Sequence, residues 1–182
     1  MPQALGSLCM SSSPTRNRLY NMPNQIDALD AELLALLAAE PRLGVLECSR
    51  RLRVARGTVQ ARLDRLVARG VVLSFGPEVS PAALGYGVTA FVTLEIRQRY
   101  GHDTVAGHLA GIPEVLEAYT ITGSGDLLCR IVARSNADLQ RVIDLVVAYQ
   151  GIVRASTHIA LAEQIAYRTL PLVHAAAAPA SR

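Results

Sequence analysis

Apolar residues recur with helical spacing up to about residue 70 and with a period of two beyond residue 87. In the first part, Leu29, Leu33, Leu36 and Leu37 make one helical stripe. Asp27 stands as its N-cap, Asp30 follows three residues on, and Pro41 stops it. Residues 44–52 predict a second, short helix burying Val45, Cys48 and Leu52. A third is expected over 56–69, with Val59, Leu63, Leu66 and Val67 inward and Gly70 as its left-handed stop. Val71, Val72 and Leu73 then read as a small wing or linker strand.

In the second part, Val88, Ala90, Val92, Leu94 and Ile96 alternate with Thr89, Phe91, Thr93 and Glu95, as in a half-buried strand. A short helix is expected over 102–110, strands over 115–121 and 127–133, and a helix capped by Ser135 with Leu139, Val142, Ile143 and Val146 buried. After Gly151 a last strand sets Val153, Ala155, Thr157, Ile159 and Leu161 against Arg154, Ser156, His158 and Ala160. This order is the βαββαβ, ferredoxin-like arrangement, whose helices cover one sheet face. The opposite face is mixed, with Glu117, Tyr119, Arg130, Arg154, Ser156 and His158, a polarity that suits an oligomer interface as well as a solvated surface. The expected fold is therefore α+β. A disordered extension (1–23) precedes a helix-turn-helix domain (24–73), a linker (74–86), a ferredoxin-like effector-binding and oligomerisation domain (87–172) and a disordered tail (173–182).

The composition, 51% hydrophobic and 18% charged, is that of a folded chain. No apolar run reaches the roughly 18 residues of a membrane-spanning helix, and the first thirty residues lack a secretory pattern. Three scattered cysteines, Cys9, Cys48 and Cys129, fit a reducing cytoplasm, with the last two inside apolar patterns and so expected to pack. Charge adds more. All 18 basic residues are arginine, and residues 42–69 hold eight of them against Glu47 and Asp64, net +6 in a chain of net +3. A basic segment in an otherwise slightly acidic chain is the footprint of a nucleic-acid-binding module.

Helical rotation puts Thr58, Arg62, Arg65 and Arg69 on one flank of the third helix and the small Gly57, Ala61 and Ala68 opposite its apolar back. Short side chains permit entry into a major groove while guanidinium groups reach phosphate. The third helix thus reads as the recognition helix of a helix-turn-helix on double-stranded DNA. Arg56, Thr58, Gln60 and Ala61 are expected at the bases, and Arg62, Arg65, Arg50 and Arg51 at phosphates. Arg62 has an alternative, an ion pair with Asp64 or Glu47. Removing one phosphate-binding arginine should lower the salt slope of binding by about one.

Ile26-Asp27-x-x-Asp30-x-x-Leu33-Leu34, Thr58-Val59-x-x-Arg62-Leu63-x-Arg65-Leu66-x-x-x-Gly70-Val71-Val72, Leu84-Gly85-Tyr86, Ala90-Phe91-Val92, Thr122-Gly123-x-x-Asp126 and Gly151-Ile152-Val153 occur in that order. The set resembles the Lrp/AsnC family of transcription regulators over residues 26–172. The resemblance implies a DNA-binding domain joined to an effector-binding domain, dimers that assemble to tetramers or octamers, and an amino-acid effector held between subunits near Gly123–Asp126. Chemistry supports that loop independently. Backbone N–H groups of Gly123, Ser124 and Gly125 can cradle a carboxylate, Asp126 can pair an ammonium, and Ser156 and Thr157 can add hydroxyls. The alternative is a tight turn in which Asp126 merely bonds backbone.

Departures from the family pattern fall at Ala55, where serine would cap the recognition helix, at Arg53, a turn position often glycine, and at Cys48-Ser49 in helix two. Gly125 removes a side chain from the loop, which would enlarge an effector site. Two other functions fit the two-domain frame. One is a DNA-organising architectural protein without effector. The other is an enzyme similar to sirohaem decarboxylases, which needs a basic pocket that the dispersed His102, His108, His158 and His174 do not suggest. No metal site is expected, since His102 and His108 are six apart and join no carboxylate cluster.

Overall fold

The structure, a computed structural model, describes residues 26–178, so the expected 1–23 extension lies outside the described residues. The chain forms two compact units: one runs up to Phe75 and resumes at Tyr167, and the other is Gly76–Ala166.

The first unit holds α1 (Ala28–Ala39), α2 (Val45–Leu52), α3 (Arg56–Ala68) and α6 (Leu170–Ala177). α1 begins with a complete capping box: the Asp27 carboxylate accepts from the Asp30 N–H at 2.8 Å, and the Asp30 carboxylate accepts from the Asp27 N–H at 3.3 Å. Ile26, Leu33, Cys48, Val59 and Leu66 form the buried centre. α3 ends in a Schellman turn, with Gly70 at φ 69°, its N–H bonded to the Val67 carbonyl and the Val71 N–H to that of Leu66. That turn explains why the expected wing strand is absent. It folds Val71 and Val72 back onto the helical core, and the Val72 N–H also donates to Leu66. Val67 is exposed rather than inward.

The C-terminal expectation also changes. Residues 173–178, assigned to a disordered tail, belong to α6 and its end, and α6 packs on α1 with Val173 and Ala177 against the helical core. The contacts of the sheet unit close at Ala166.

The second unit contains β1 (Val88–Ile96), α4 (Gly101–Ala110), β2 (Val115–Thr120), β3 (Leu127–Ala133), α5 (Asn136–Val147) and β4 (Ile152–Ile159), the expected βαββαβ order. Its sheet is antiparallel in the order β2-β3-β1-β4. Ala90, Val92 and Leu94, with Leu127, Cys129 and Ile131, pack beneath Val105 and Leu109 of α4 and Leu139, Val142 and Val146 of α5. His108 ties the two helices: its Nε2 lies 3.0 and 3.2 Å from the Leu145 and Val146 carbonyls near the end of α5. The register of β4 shifts between Glu95 and Ile96, so Arg154 faces Glu95 and Ile152 faces Ile96. Val153, caught in the bulge, turns outward instead of joining the core, and Leu161 lies beyond the strand, exposed. Burial raises the Cys48 thiol pKa and pushes that of Cys129 up to about 11, which keeps both as packed thiols.

Candidate functional site

Only Val59 and Leu66 of α3 are buried, and Arg56, Gly57, Thr58, Gln60 and Ala61 are all exposed. The small residues expected at a groove therefore stand on an open surface. The Arg56 and Thr58 side chains make no polar contact among the described residues. Gln60 donates to Asp64 Oδ1 at 2.8 Å, a turn along the same helix. Ala55, at the N-cap, offers no side-chain bond, which leaves the first N–H groups of α3 uncapped by a side chain. The turn before it contains Arg53 at φ 54°, ψ 40°, the only non-glycine residue with positive φ among the described residues. Arg53 is exposed and carries no ion pair there. On α2, Arg50 is largely exposed at 3.6 Å from Glu47. Arg51 bonds Glu40 and, at 3.1 Å, Glu47, and its guanidinium holds the Glu40 carboxyl below the usual range.

Arg62 and Arg65, expected at phosphates, bond carboxylates of α1. Arg62 Nη1 donates to Asp27 Oδ1 and Oδ2 at 2.7 and 2.6 Å and to Asp30 Oδ1 at 2.8 Å, while Arg65 Nη2 lies 3.0 and 2.8 Å from the two Asp30 oxygens. The Asp30 side chain is only 1% exposed, so its charge is stabilised by these two guanidinium groups rather than by water. Neither of the partners weighed for Arg62, Asp64 or Glu47, is its partner. The Arg62 bonds and the Asp30 N–H hold the Asp27 pKa below 3.8. Sequence reading missed Asp30 as a buried acid. The signal was its place three residues before Leu33 and seven before Leu37, on the apolar stripe itself.

In the second unit, the glycine turn is tied to β1. The Asp126 N–H donates to the Leu94 carbonyl at 2.8 Å, and its Oδ2 accepts from the Ile96 N–H at 2.7 Å. One Asp126 oxygen is thus committed to backbone, which favours its structural reading over an ammonium ligand. The Gly125 N–H is bonded to Gly123, leaving those of Gly123 and Ser124 without a partner among the described residues. Gly125 does not enlarge the site: at φ 116°, an added Cβ would sit 2.3 Å from Thr93 Cγ2 and 3.2 Å from the Leu94 carbonyl. Strand alternation also separates Ser156 from Thr157. Thr157 pairs with Val92 on the helix-covered side, whereas Ser156 pairs with Thr93 on the open face.

Ser124 and Ser156 do meet, in a cavity of about 180 Å³ with Thr93, Glu95, Arg154 and His158. Arg154 lies 3.9 Å from Glu95, which puts a cation and an anion side by side at its wall. The sequence showed that Arg154, Ser156 and His158 share a face, but only the fold brings the 123–125 turn to them. The rest of the open face carries exposed Phe91 and Tyr119 and the Arg130–Glu117 pair at 3.4 Å.

A helix-turn-helix with an exposed third helix and a separate βαββαβ unit define a two-domain DNA-binding transcription regulator. Residues 26–72 match a winged helix-turn-helix DNA-binding family, and residues 89–170 match the Lrp/AsnC ligand binding domain. An HTH-type transcriptional regulator of Pyrococcus abyssi (strain GE5 / Orsay) is 33% identical over 119 residues, 65% of this chain and 75% of that protein. The HTH-type transcriptional regulator FL11 of Pyrococcus furiosus is 29% identical over 75% of this chain and 89% of its own length. Among solved structures, Escherichia coli AsnC superposes with a TM-score of 0.74 at 27% identity, covering 80% of this chain and 99% of AsnC. A Neisseria meningitidis transcriptional regulator in complex with L-Met gives 0.69 at 26% identity, covering 82% and 99%. The chain belongs to the Lrp/AsnC family of transcriptional regulators.

Proposed function

We infer that the protein is a sequence-specific regulator, not an enzyme, that reads duplex DNA with α3 as a homo-oligomer and responds to an amino acid. The observation that carries this reading is the outward face of α3, where Arg56, Thr58 and Ala61 stand exposed beside Gln60. Arg56, Thr58, Gln60 and Ala61 reach base edges, and Arg50, Arg51 and Arg53 flank them toward phosphate. A second copy covers the open sheet face at Phe91 and Tyr119, and dimers assemble further to tetramers or octamers. The effector lies by the glycine turn: the free N–H groups of Gly123 and Ser124 with Arg154 suit a carboxylate, Glu95 suits an ammonium, and Ser124 and Ser156 supply hydroxyls. The L-Met complex of the Neisseria protein supports this class of ligand.

The test is selection of duplexes from a randomised library by the purified protein, followed by affinity measurements with and without each of the twenty amino acids. Enrichment of a two-fold-related sequence, and at least one amino acid that both raises the melting temperature and changes DNA affinity or assembly, is expected. Enrichment with no response to any amino acid would favour the architectural reading. No enrichment would end the sequence-specific one.

A further inference from the structure

We propose that Arg62 is a positioning residue for DNA recognition, clamping α3 to the capping box of α1 so that the reading residues keep a fixed angle, and that it makes no phosphate contact. The proposal rests on α3 being the DNA-reading helix.

Three features of the contact support it. First, Arg62 engages Asp27 and Asp30 together, the two acids that cap the first turn of α1, with three contacts of 2.6–2.8 Å. One terminal nitrogen, Nη1, therefore spans the start of one helix and the middle of another, a position that a lysine ammonium, carried one bond closer to the backbone, does not reproduce. Second, only 22% of the Arg62 side chain is exposed, against 46% for Arg65 and 70% for Arg50. Reaching a phosphate would require Arg62 to leave a carboxylate, Asp30, that has no access to water. Third, Arg62 lies one to two turns along α3 from Thr58 and Arg56 and directly follows Ala61, the exposed groups of its N-terminal half. A rotation of α3 about its own axis is opposed at the position where the two helices are bonded, and small displacements of a reading helix alter base contacts more than they alter general attraction to phosphate.

Positioning and phosphate binding predict opposite signs for one substitution. Asp27→Asn keeps a capping oxygen but loosens Arg62 and removes a negative charge near the DNA face. If Arg62 bound phosphate, this change would strengthen binding. If Arg62 positions α3, binding to the selected duplex weakens. Affinities would be measured by fluorescence anisotropy for the wild-type-selected duplex and for poly(dI-dC), over about 50–200 mM salt. Arg62→Gln, Arg62→Lys and Asp27→Asn are each expected to weaken the selected duplex by about tenfold, to change poly(dI-dC) binding little, and to leave the salt slope intact. Arg50→Gln, at a residue assigned to phosphate, should instead lower the slope by about one and weaken both probes. A slope reduced by about one in Arg62→Gln and restored in Arg62→Lys, or tighter binding by Asp27→Asn, would overturn the proposal. Binding of neither probe by the wild-type protein would instead remove the underlying reading of α3. Melting curves establish that each variant is folded at the assay temperature, and the half-exposed Asp27 keeps the test usable if Arg62→Gln does not fold.

Discussion

Arg53 is held in a left-handed conformation that costs a side-chain-bearing residue about 1–2 kcal/mol. Arg53→Gly should therefore raise stability by up to about 1 kcal/mol in urea unfolding, and a simultaneous loss of DNA affinity would assign the guanidinium to DNA. Gly125→Ala should have the opposite effect, costing more than about 1 kcal/mol, because a positive φ and a collision with Thr93 act together. The first case was legible in the sequence as a departure at a turn position. The second was not, because Thr93 lies on another strand and is brought to the loop only by the β1–β3 pairing. Asp27 adds a pH dependence. Its folded-state pKa lies below the ordinary value, so its contribution is complete at neutral pH and is lost as pH falls through 3.8 and below. Asp27→Asn should remove that part of the acid limb in a stability-versus-pH series.

At the scale of elements, local chemistry announces most boundaries. Asp27, Ser135 and Gly70 each stand where the sequence placed them, because caps and left-handed stops act within a turn of their own position. Ala55→Ser, adding the missing acceptor at the start of α3, should stabilise by about 1 kcal/mol in thermal unfolding. What local chemistry does not announce is burial that depends on a distant partner. α6 has no side-chain cap and an alanine-rich end, and it reads as a tail until α1 is there to receive it. Val67 and Val153 were expected inside by spacing alone. The first lies at the margin of the α3 stripe, and the second is displaced by a bulge whose cause is the pairing with β1. The arginine flank shows the same limit: composition gave its charge, but only the docking of α1 reveals which guanidinium groups already have carboxylate partners.

At the scale of the molecule, the open sheet face and the two-part helical unit are the main features. If a second copy covers the face, Tyr119→Glu and Phe91→Glu should dissociate the oligomer in sedimentation velocity while far-UV circular dichroism stays unchanged, since neither side chain enters the core of its own chain. The helical unit is discontinuous: its fourth helix follows the entire sheet unit in the chain. This order has a consequence for synthesis. On the ribosome α1, α2 and α3 emerge first, and domains generally fold in that direction. Yet the surface of α1 that α6 covers must wait until some ninety further residues, Gly76–Ala166, have been translated. The nascent DNA-binding unit therefore spends that interval with an apolar flank uncovered, and a prematurely terminated chain keeps it so.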